Sequence, residues 1–277
     1  MHAAGDRGLR VLTLNLHCWQ EVDAEAKLMR IAEAIAIHEP DLICFQEVGQ
    51  HVDAPIIGER HGATIRADNA ALVVAQELER SHGITVDWAW AFAHLGFGVW
   101  EEGVAVMARG VISHVDAPFV SKVATPLAWN ARRLLIADVV LPGIGGIAAA
   151  SAHFSWWDDP DEPFAPQWER AEIALAPHAS PAVLAGDFNV LDGSQGYEHM
   201  MRSGVWSDAH AALSDPAPGT FPGDIAGWSG ASAGRIDYVL SRGGQLVPRK
   251  AQLLFDSEGI RVSDHFGLLI EFDVRPT

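Results

Sequence analysis

The chain has 277 residues, with 36 acidic side chains against 19 lysines and arginines and a formal net charge of −17. That balance disfavours a general nucleic-acid binder, because phosphate backbones are held by clustered basic side chains. A composition 49% apolar and 20% charged, with 10 Trp and 11 Phe, excludes disorder and supplies a large core.

Residues 1–10 are polar and lead straight into a strand, without the apolar stretch and cleavage site of a signal peptide. Residues 10–17 alternate apolar side chains and end in polar ones, as a buried strand does when it delivers groups to a site. Leu28, Ile31, Ala32 and Ile35 then repeat at helical spacing, with Pro40 just beyond. Residues 41–48 are a run of β-formers interrupted by Gln46 and Glu47. A second amphipathic helix is predicted over 69–81, and strands over 103–108, 133–141 and 146–154, the last two joined through Pro142, Gly143, Gly145 and Gly146.

A loop dense in Trp, Asp and Pro (155–167) leads to a helix over 168–176 and a strand over 182–186; further strands are predicted at 236–240, 252–256 and 266–272. No repeat or low-complexity segment occurs, so residues 1–277 are expected to form one domain with its core over about 10–273. Many strands with few, separated helices predict two packed sheets with helices outside, an α/β sandwich. Cys18 and Cys44 sit in apolar runs and read as reduced, structural thiols. No apolar run approaches the roughly 18 residues of a membrane span, and a cytoplasmic location is the expectation.

The acids fall in a pattern. Glu47 ends one apolar strand, Asp187 and Asn189 follow a second, Asp237 lies in a third, and Asp264 and His265 precede a fourth. Isolated buried carboxylates cost several kcal/mol unless paired or bound to metal, so these strand ends are expected to converge on a hard-cation site for Mg²⁺ or Mn²⁺. Each residue alone has a structural explanation: Asn15 can cap a turn, His153 can be a satisfied core histidine, Asp187 can cap a helix, and Asp237 can pair with Arg235 or Arg242. None of these explains why the polar interruptions all sit at strand ends.

The segments Leu14-Asn15, Gln46-Glu47, Ala152-His153, Gly186-Asp187-Phe188-Asn189, Arg235-Ile236-Asp237-Tyr238 and Ser263-Asp264-His265 resemble, in order and spacing, the endonuclease/exonuclease/phosphatase (DNase I-like) family. Stretches 13–19, 94–103, 153–157 and 227–228 look like a bacterial branch of it that contains maltose 6'-phosphate phosphatase. The resemblance implies a four-layer α/β sandwich and phosphate-ester hydrolysis with a divalent cation. It implies Glu47 as principal metal ligand, with Asn15 and Asp264 completing or supporting the shell. Asp187 would be the base for the attacking water and Asn189 would hold that water or a phosphate oxygen. His153 and His265 would donate to non-bridging oxygens, with Asp237 orienting His153 and Glu102 orienting His265. Arg132 is expected to contact phosphate, although a one-residue slip would exchange it for Arg133.

Trp156, Trp157 and Trp228 either stack on a sugar ring or cover the sandwich edge. The acidic run Asp158, Asp159, Asp161 and Glu162 reads as a solvated loop whose charge would repel a polynucleotide. An acidic, Trp-rich rim favours a small phosphate ester, a sugar phosphate in first place. A phosphodiesterase of the same family, nuclease or sphingomyelinase-like, is the runner-up, and a non-catalytic phosphate-ester binding module is a third reading.

Overall fold

The computed structural model describes residues 8–178, 180–214, 217–223, 225 and 232–275. The chain begins with β1 (Leu9–Asn15), α1 (Ala24–His38) and β2 (Leu42–His51), then a small hairpin of β3 (Ile56–Arg60) and β4 (Ala63–Arg66). Next come α2 (Ala70–His82), β5 (Asp87–Gly96), β6 (Trp100–Ala108) and β7 (Val111–Asp116). The second half runs β8 (Leu134–Leu141), β9 (Gly145–His153), α3 (Phe164–Leu175), β10 (Ala182–Asp187) and α4 (Gln195–Met201). The short β11 (Ser207–Asp208), β12 (Phe221–Gly223) and β13 (Ser232–Gly234) precede β14 (Asp237–Arg242), β15 (Leu246–Leu254) and β16 (Gly267–Val274).

Two six-stranded sheets result, ordered β15-β16-β1-β2-β6-β5 and β11-β14-β10-β9-β8-β7. Each has a central parallel pair, β1 with β2 and β9 with β10, flanked by antiparallel neighbours. Parallel neighbours need a crossover, and α1 and α3 supply it. Alternation along each strand then divides the apolar side chains. Val11, Cys44, Val106, Leu135, Ala149, Val183 and Ile270 meet between the sheets. Leu12, Leu14 and Phe45 turn outward onto α1 and α2, and Ala150, Leu184 and Tyr238 turn outward onto the side of α3 and α4. Helix, sheet, sheet, helix is the four-layer sandwich that the sequence predicts.

The first two helices form where the pattern placed them, whereas α3 starts at Phe164, inside the expected loop, and no sequence pattern marks α4. Leu28, Ile31, Ala32 and Ile35 are the buried stripe of α1, and Asn69 caps α2 by accepting from the Ala71 and Leu72 amides. Both cysteines are free and buried. Gln46, an interruption in sequence, is fully buried between the sheets; its side chain meets Thr13 at 3.3 Å and Ser151 at 3.0 Å, and Ser151 donates to the Phe45 carbonyl. No helix among the described residues is long and apolar enough to cross a membrane.

Candidate active site

The carboxyl ends of both parallel pairs point to the same end of the sandwich, so Asn15, His153 and Asp187, the last residues of β1, β9 and β10, meet there; Glu47 does not end its strand as expected, because β2 runs on to His51. Ligand sites in α/β sheets form outside such carboxyl ends. β14 runs antiparallel to β10 and places Asp237 opposite Asp187. Glu47 is projected by a bulge: the β2–β6 register shifts between Phe45 and Val48, and Glu47 has a φ of 50°. Gly186 precedes Asp187 because a Cβ there would lie 1.9 Å from the Ala152 carbonyl oxygen, at a φ of 153°.

Asn15 stitches the two sheets together. Its amide donates to Glu47 Oε1 (3.0 Å) and Asp187 Oδ2 (3.2 Å), while its Oδ1 accepts from the His17 amide (3.0 Å). Asp187 Oδ2 also lies 3.5 Å from His153 Nε2 and 3.7 Å from His265 Nε2, and its Oδ1 accepts from the Asn189 amide at 2.9 Å. Asn189 Nδ2 donates to the Phe154 carbonyl (2.9 Å) and faces His153 Nε2 at 3.2 Å. With Nε2 accepting, the neutral ring carries its proton on Nδ1, which points toward Glu47 Oε1, 4.0 Å away.

Two expected pairings are corrected. Asp237 orients His265, not His153: His265 Nδ1 sits 3.0 Å and 3.3 Å from the two Asp237 oxygens. Thr220 Oγ1 donates to the same carboxylate at 2.6 Å and accepts from the Asp237 amide at 3.1 Å. Glu102 does not reach His265; it faces His94 Nε2 at 3.9 Å and lines a tight cavity with Glu47, Arg132 and His153. Arg132 is buried in that cavity, with its Nη1 on the Trp129 and Ala131 carbonyls and 3.5 Å from His94 Nδ1, and its Nε without a partner. Arg133 differs: it stacks on Phe119 and donates to the Ala117 carbonyl.

The electrostatics follow from this crowding. Burial alone would keep His265 neutral, but the Asp237 and Asp187 carboxylates outweigh it and raise its pKa to about 10. Burial raises Asp187 to about 7, with His265 opposing and Asp237 adding to the rise. Burial, reinforced by Glu47, raises Glu102 to about 7. Burial pushes His153 well below its ordinary value, and Arg132 pushes the same way. His94 is lowered to about 3 by burial and the same guanidinium.

Carboxylates crowded beside an amide and imidazoles, with no thiolate, are a donor set suited to a hard divalent cation. Among the described residues, Asp187, Asp237 and His265 form one buried group whose ligand atoms lie within 4.8 Å of each other; His17, Glu21 and Asp264 form another. Asp264, predicted as a ligand, therefore sits 3.8 Å from His17, whose Nδ1 contacts Glu21 at 2.7 Å. The roles of His17 and His94 were not read from sequence, although both fall in the stretches 13–19 and 94–103 that carry the branch resemblance.

A cavity of about 680 Å³ opens beside Asn189 and is lined by Trp129, Trp156, Trp157, Asp158 and Asp161 among others. Of the expected aromatic contacts, Trp156 and Trp157 are there, whereas Trp228 lies outside the described residues. Trp129 stands in a loop without periodicity, so no sequence pattern marks it. The acidic run is not uniformly solvated: Glu162 is buried and accepts from the Lys122 (2.8 Å) and Val123 (2.7 Å) amides, tying its loop to the one that carries Trp129.

Residues 13–265 match the model of the Endonuclease/Exonuclease/phosphatase family. Among solved structures, the chain is similar to an endonuclease/exonuclease/phosphatase family protein from Leptotrichia buccalis C-1013-b, at 26% identity and a TM-score of 0.84, covering 96% of this chain and 99% of that one. A mannosyl-6-phosphatase from Bacteroides thetaiotaomicron VPI-5482 aligns at 17% identity and a TM-score of 0.68, covering 95% of this chain and 99% of that one. TDP2 from D. rerio, complexed with single strand DNA product, aligns at 16% identity and a TM-score of 0.67, covering 97% and 100%. No curated protein matches the chain.

Proposed function

We propose that this chain, which belongs to the endonuclease/exonuclease/phosphatase family of phosphoric ester hydrolases, is a Mg²⁺-dependent phosphomonoesterase acting on a sugar phosphate, similar to maltose 6'-phosphate phosphatase. The observation that carries this reading is the Trp-lined, acidic cavity that shares Asn189 with the cluster of Asp187, His153 and His265. Such a rim suits a small polar ester and repels a polyanion.

Glu47, with Asp264 and in support Asn15, would hold the metal. Bound there, Mg²⁺ would act as a Lewis acid on the phosphoryl group and shield the leaving oxygen. Asp187, with a pKa raised to about 7, is matched to take a proton from the attacking water near neutral pH. Asn189 positions that water or a phosphate oxygen. The His265 imidazolium, held by Asp237, and the His153 Nδ1–H donate to non-bridging oxygens as charge builds on them. Arg132, buried and with an unpartnered Nε, offers a further phosphate contact. In-line attack by water needs no covalent phosphoenzyme. We place the activity in one domain, and in the cytoplasm, with which two free buried thiols accord.

The test is inorganic phosphate release from a panel of sugar phosphates that includes maltose 6'-phosphate, with Mg²⁺ or EDTA. Release is expected to need metal and to fall by at least about a hundredfold in Asp187→Ala, as for loss of a base. Wild-type turnover in that variant removes Asp187 from the chemistry. A phosphodiesterase reading is favoured by exposed Phe97 and Leu127 beside the β5–β6 turn, where the Leu95 amide meets the Pro126 carbonyl. Cleavage of a diester without action on any monoester would establish it instead.

A further inference from the structure

A second group of imidazoles and carboxylates comes together away from the catalytic cluster. It lies on the face of the second sheet that packs against α3, where β7 pairs with β8 and sets His114 opposite Asp138, and where His178 follows the end of α3. Asp138 is paired with Ala148, five positions before His153 on β9, so the group stands roughly 17 Å from the catalytic imidazole at about 3.4 Å per residue. We propose that His114, Asp116 and His178 form a metal site separate from the catalytic one, suited to Zn²⁺, which clips the edge strand β7 to the end of α3.

The geometry is close to a ligand shell. Asp116 Oδ2 lies 3.2 Å from His114 Nε2 and 3.3 Å from His178 Nε2. With metal–donor bonds of about 2.0–2.1 Å, neighbouring ligand atoms of a tetrahedral shell stand roughly 3.3–3.4 Å apart, so both edges that meet at this oxygen already have nearly that length. His178 Nδ1 faces the two Asp138 oxygens at 3.3 and 3.4 Å. A carboxylate in that position fixes the tautomer: Nδ1–H is donated to Asp138 and Nε2 presents its lone pair, the arrangement that supports metal-bound histidines. The backbone of His178 is pinned as well, since Arg242 donates to its carbonyl at 3.2 Å and to that of Leu175 at 3.1 Å. His114 is the adjustable member. Its side chain is 58% exposed and its ring lies 6.3 Å from that of His178, 26° off parallel, so it has room to swing onto an ion held by the other two.

Charge and donor type select the ion. Among the described residues neither Asp116 nor Asp138 is paired with a lysine or arginine; their ionic partners are His114 and His178. Two carboxylates therefore flank one ring, and a divalent ion on Asp116 balances them. Two imidazoles with one carboxylate suit Zn²⁺, whereas Mg²⁺ takes oxygen ligands. Three protein ligands leave the fourth position to water. β7 is the last strand of its sheet and has a neighbour on one side only, so an ion shared with His178 would hold it from the helix side too. A His178 imidazolium bridging Asp116 and Asp138 satisfies the same distances without an ion, and metal binding separates the two.

The experiment uses the full chain as wild type, His114→Ala, Asp116→Asn and Asp138→Asn, stripped with a chelator and then kept in excess Mg²⁺ so that hard-ion sites are filled. In equilibrium dialysis against Zn²⁺, wild type is expected to take up one equivalent more than His114→Ala or Asp116→Asn. Asp138→Asn should keep the site with about 10- to 100-fold weaker affinity, because it loses the support of a ligand and not the ligand itself. Co²⁺ in place of Zn²⁺ is expected to give the strong visible absorption of a four-coordinate site in wild type and not in His114→Ala. Zn²⁺ should also raise the melting temperature of wild type and leave that of the two ligand variants unchanged. Without metal, His114→Ala should melt with wild type, since the side chain it removes is largely exposed.

Equal Zn²⁺ uptake by wild type and both ligand variants overturns the proposal and leaves the imidazolium bridge. Zn²⁺ uptake that disappears in Glu47→Gln but persists in His114→Ala overturns it too, and assigns the ion to the catalytic cluster. None of these readouts needs turnover, so the site stands or falls independently of the phosphoesterase reading.

Discussion

Replacing Asp237 by Asn removes one charge from a fully buried position and leaves the shape intact. In the native site that carboxylate faces His265 Nδ1 at 3.0 Å and accepts from Thr220 Oγ1 at 2.6 Å. It is the first attraction that works against burial in raising the His265 pKa from 6.5 to about 10. A rise of 3.5 units corresponds to about 5 kcal/mol favouring the imidazolium. Without Asp237 only Asp187 and Asp264 still work against burial, and His265 is expected to lose most of its charge at pH 7. A donor aimed at phosphoryl charge is worth about 2.7–4 kcal/mol, so kcat should fall by roughly a hundred- to a thousandfold. Its raised pKa also means that His265 contributes stability in full below pH 6.5, and that this is lost as pH rises through about 10. The alkaline slope should flatten in the variant. Phosphate release at saturating substrate gives kcat, and an NMR titration of the His265 ring gives its charge directly. A ring still protonated at pH 8 in Asp237→Asn, or a kcat within threefold of wild type, would refute the reasoning.

Glu47→Gln should weaken metal affinity and raise the Mg²⁺ needed for half-maximal activity, since it removes the charge of the principal proposed ligand; an unchanged metal titration takes Glu47 out of the shell. His94 has a folded pKa lowered to about 3, so the unfolded chain binds a proton below pH 6.5 that the folded one refuses. Stability from this group is present above pH 6.5 and lost as pH falls, by about 2 kcal/mol between pH 7 and pH 5. Urea unfolding of wild type and His94→Gln at both values should show that difference, and parallel pH dependence would contradict it. Gly186→Ala should cost about 3 kcal/mol or more, because the new methyl meets the Ala152 carbonyl between paired strands; a melting temperature within a degree of wild type would show that the strands can part.

How much of this was legible in advance depends on whether the signal is local. The stripe of α1 and the cap at Asn69 are nearest-neighbour patterns, and both elements stand where the periodicity put them. β5 escaped because Trp88, Trp90, Ala89 and Ala91 are all buried, so the strand has no polar face to alternate with. The β3–β4 hairpin buries Ile65 alone while Ile56, Ile57 and Glu59 face solvent, so no alternation marked it. Polar interruptions in the strands pointed to residues that the fold brings together, yet which acid meets which imidazole depends on strand register, such as the β10–β14 pairing of distant segments. Asp237, set opposite Asp187, meets His265 from the loop before β16, whereas Glu102 faces His94 because the β5–β6 pairing puts them opposite each other. Trp129 joins the cavity through backbone and loop contacts to Arg132 and Glu162, which no spacing rule encodes.

The Ser263 hydroxyl donates to the Asn15 carbonyl at 2.7 Å across 248 positions of chain, and Asn15 reaches Asp187 across 172. A centre closed by such distant contacts is among the slowest parts of a molecule to assemble, because long loops must close before any bond rewards them. During synthesis the first sheet cannot receive β16, nor the site Asp264 and His265, until those residues have emerged. The nascent chain therefore exposes acids and apolar edges long before it can hydrolyse anything, and catalytic competence doubles as a report that the whole sandwich has closed.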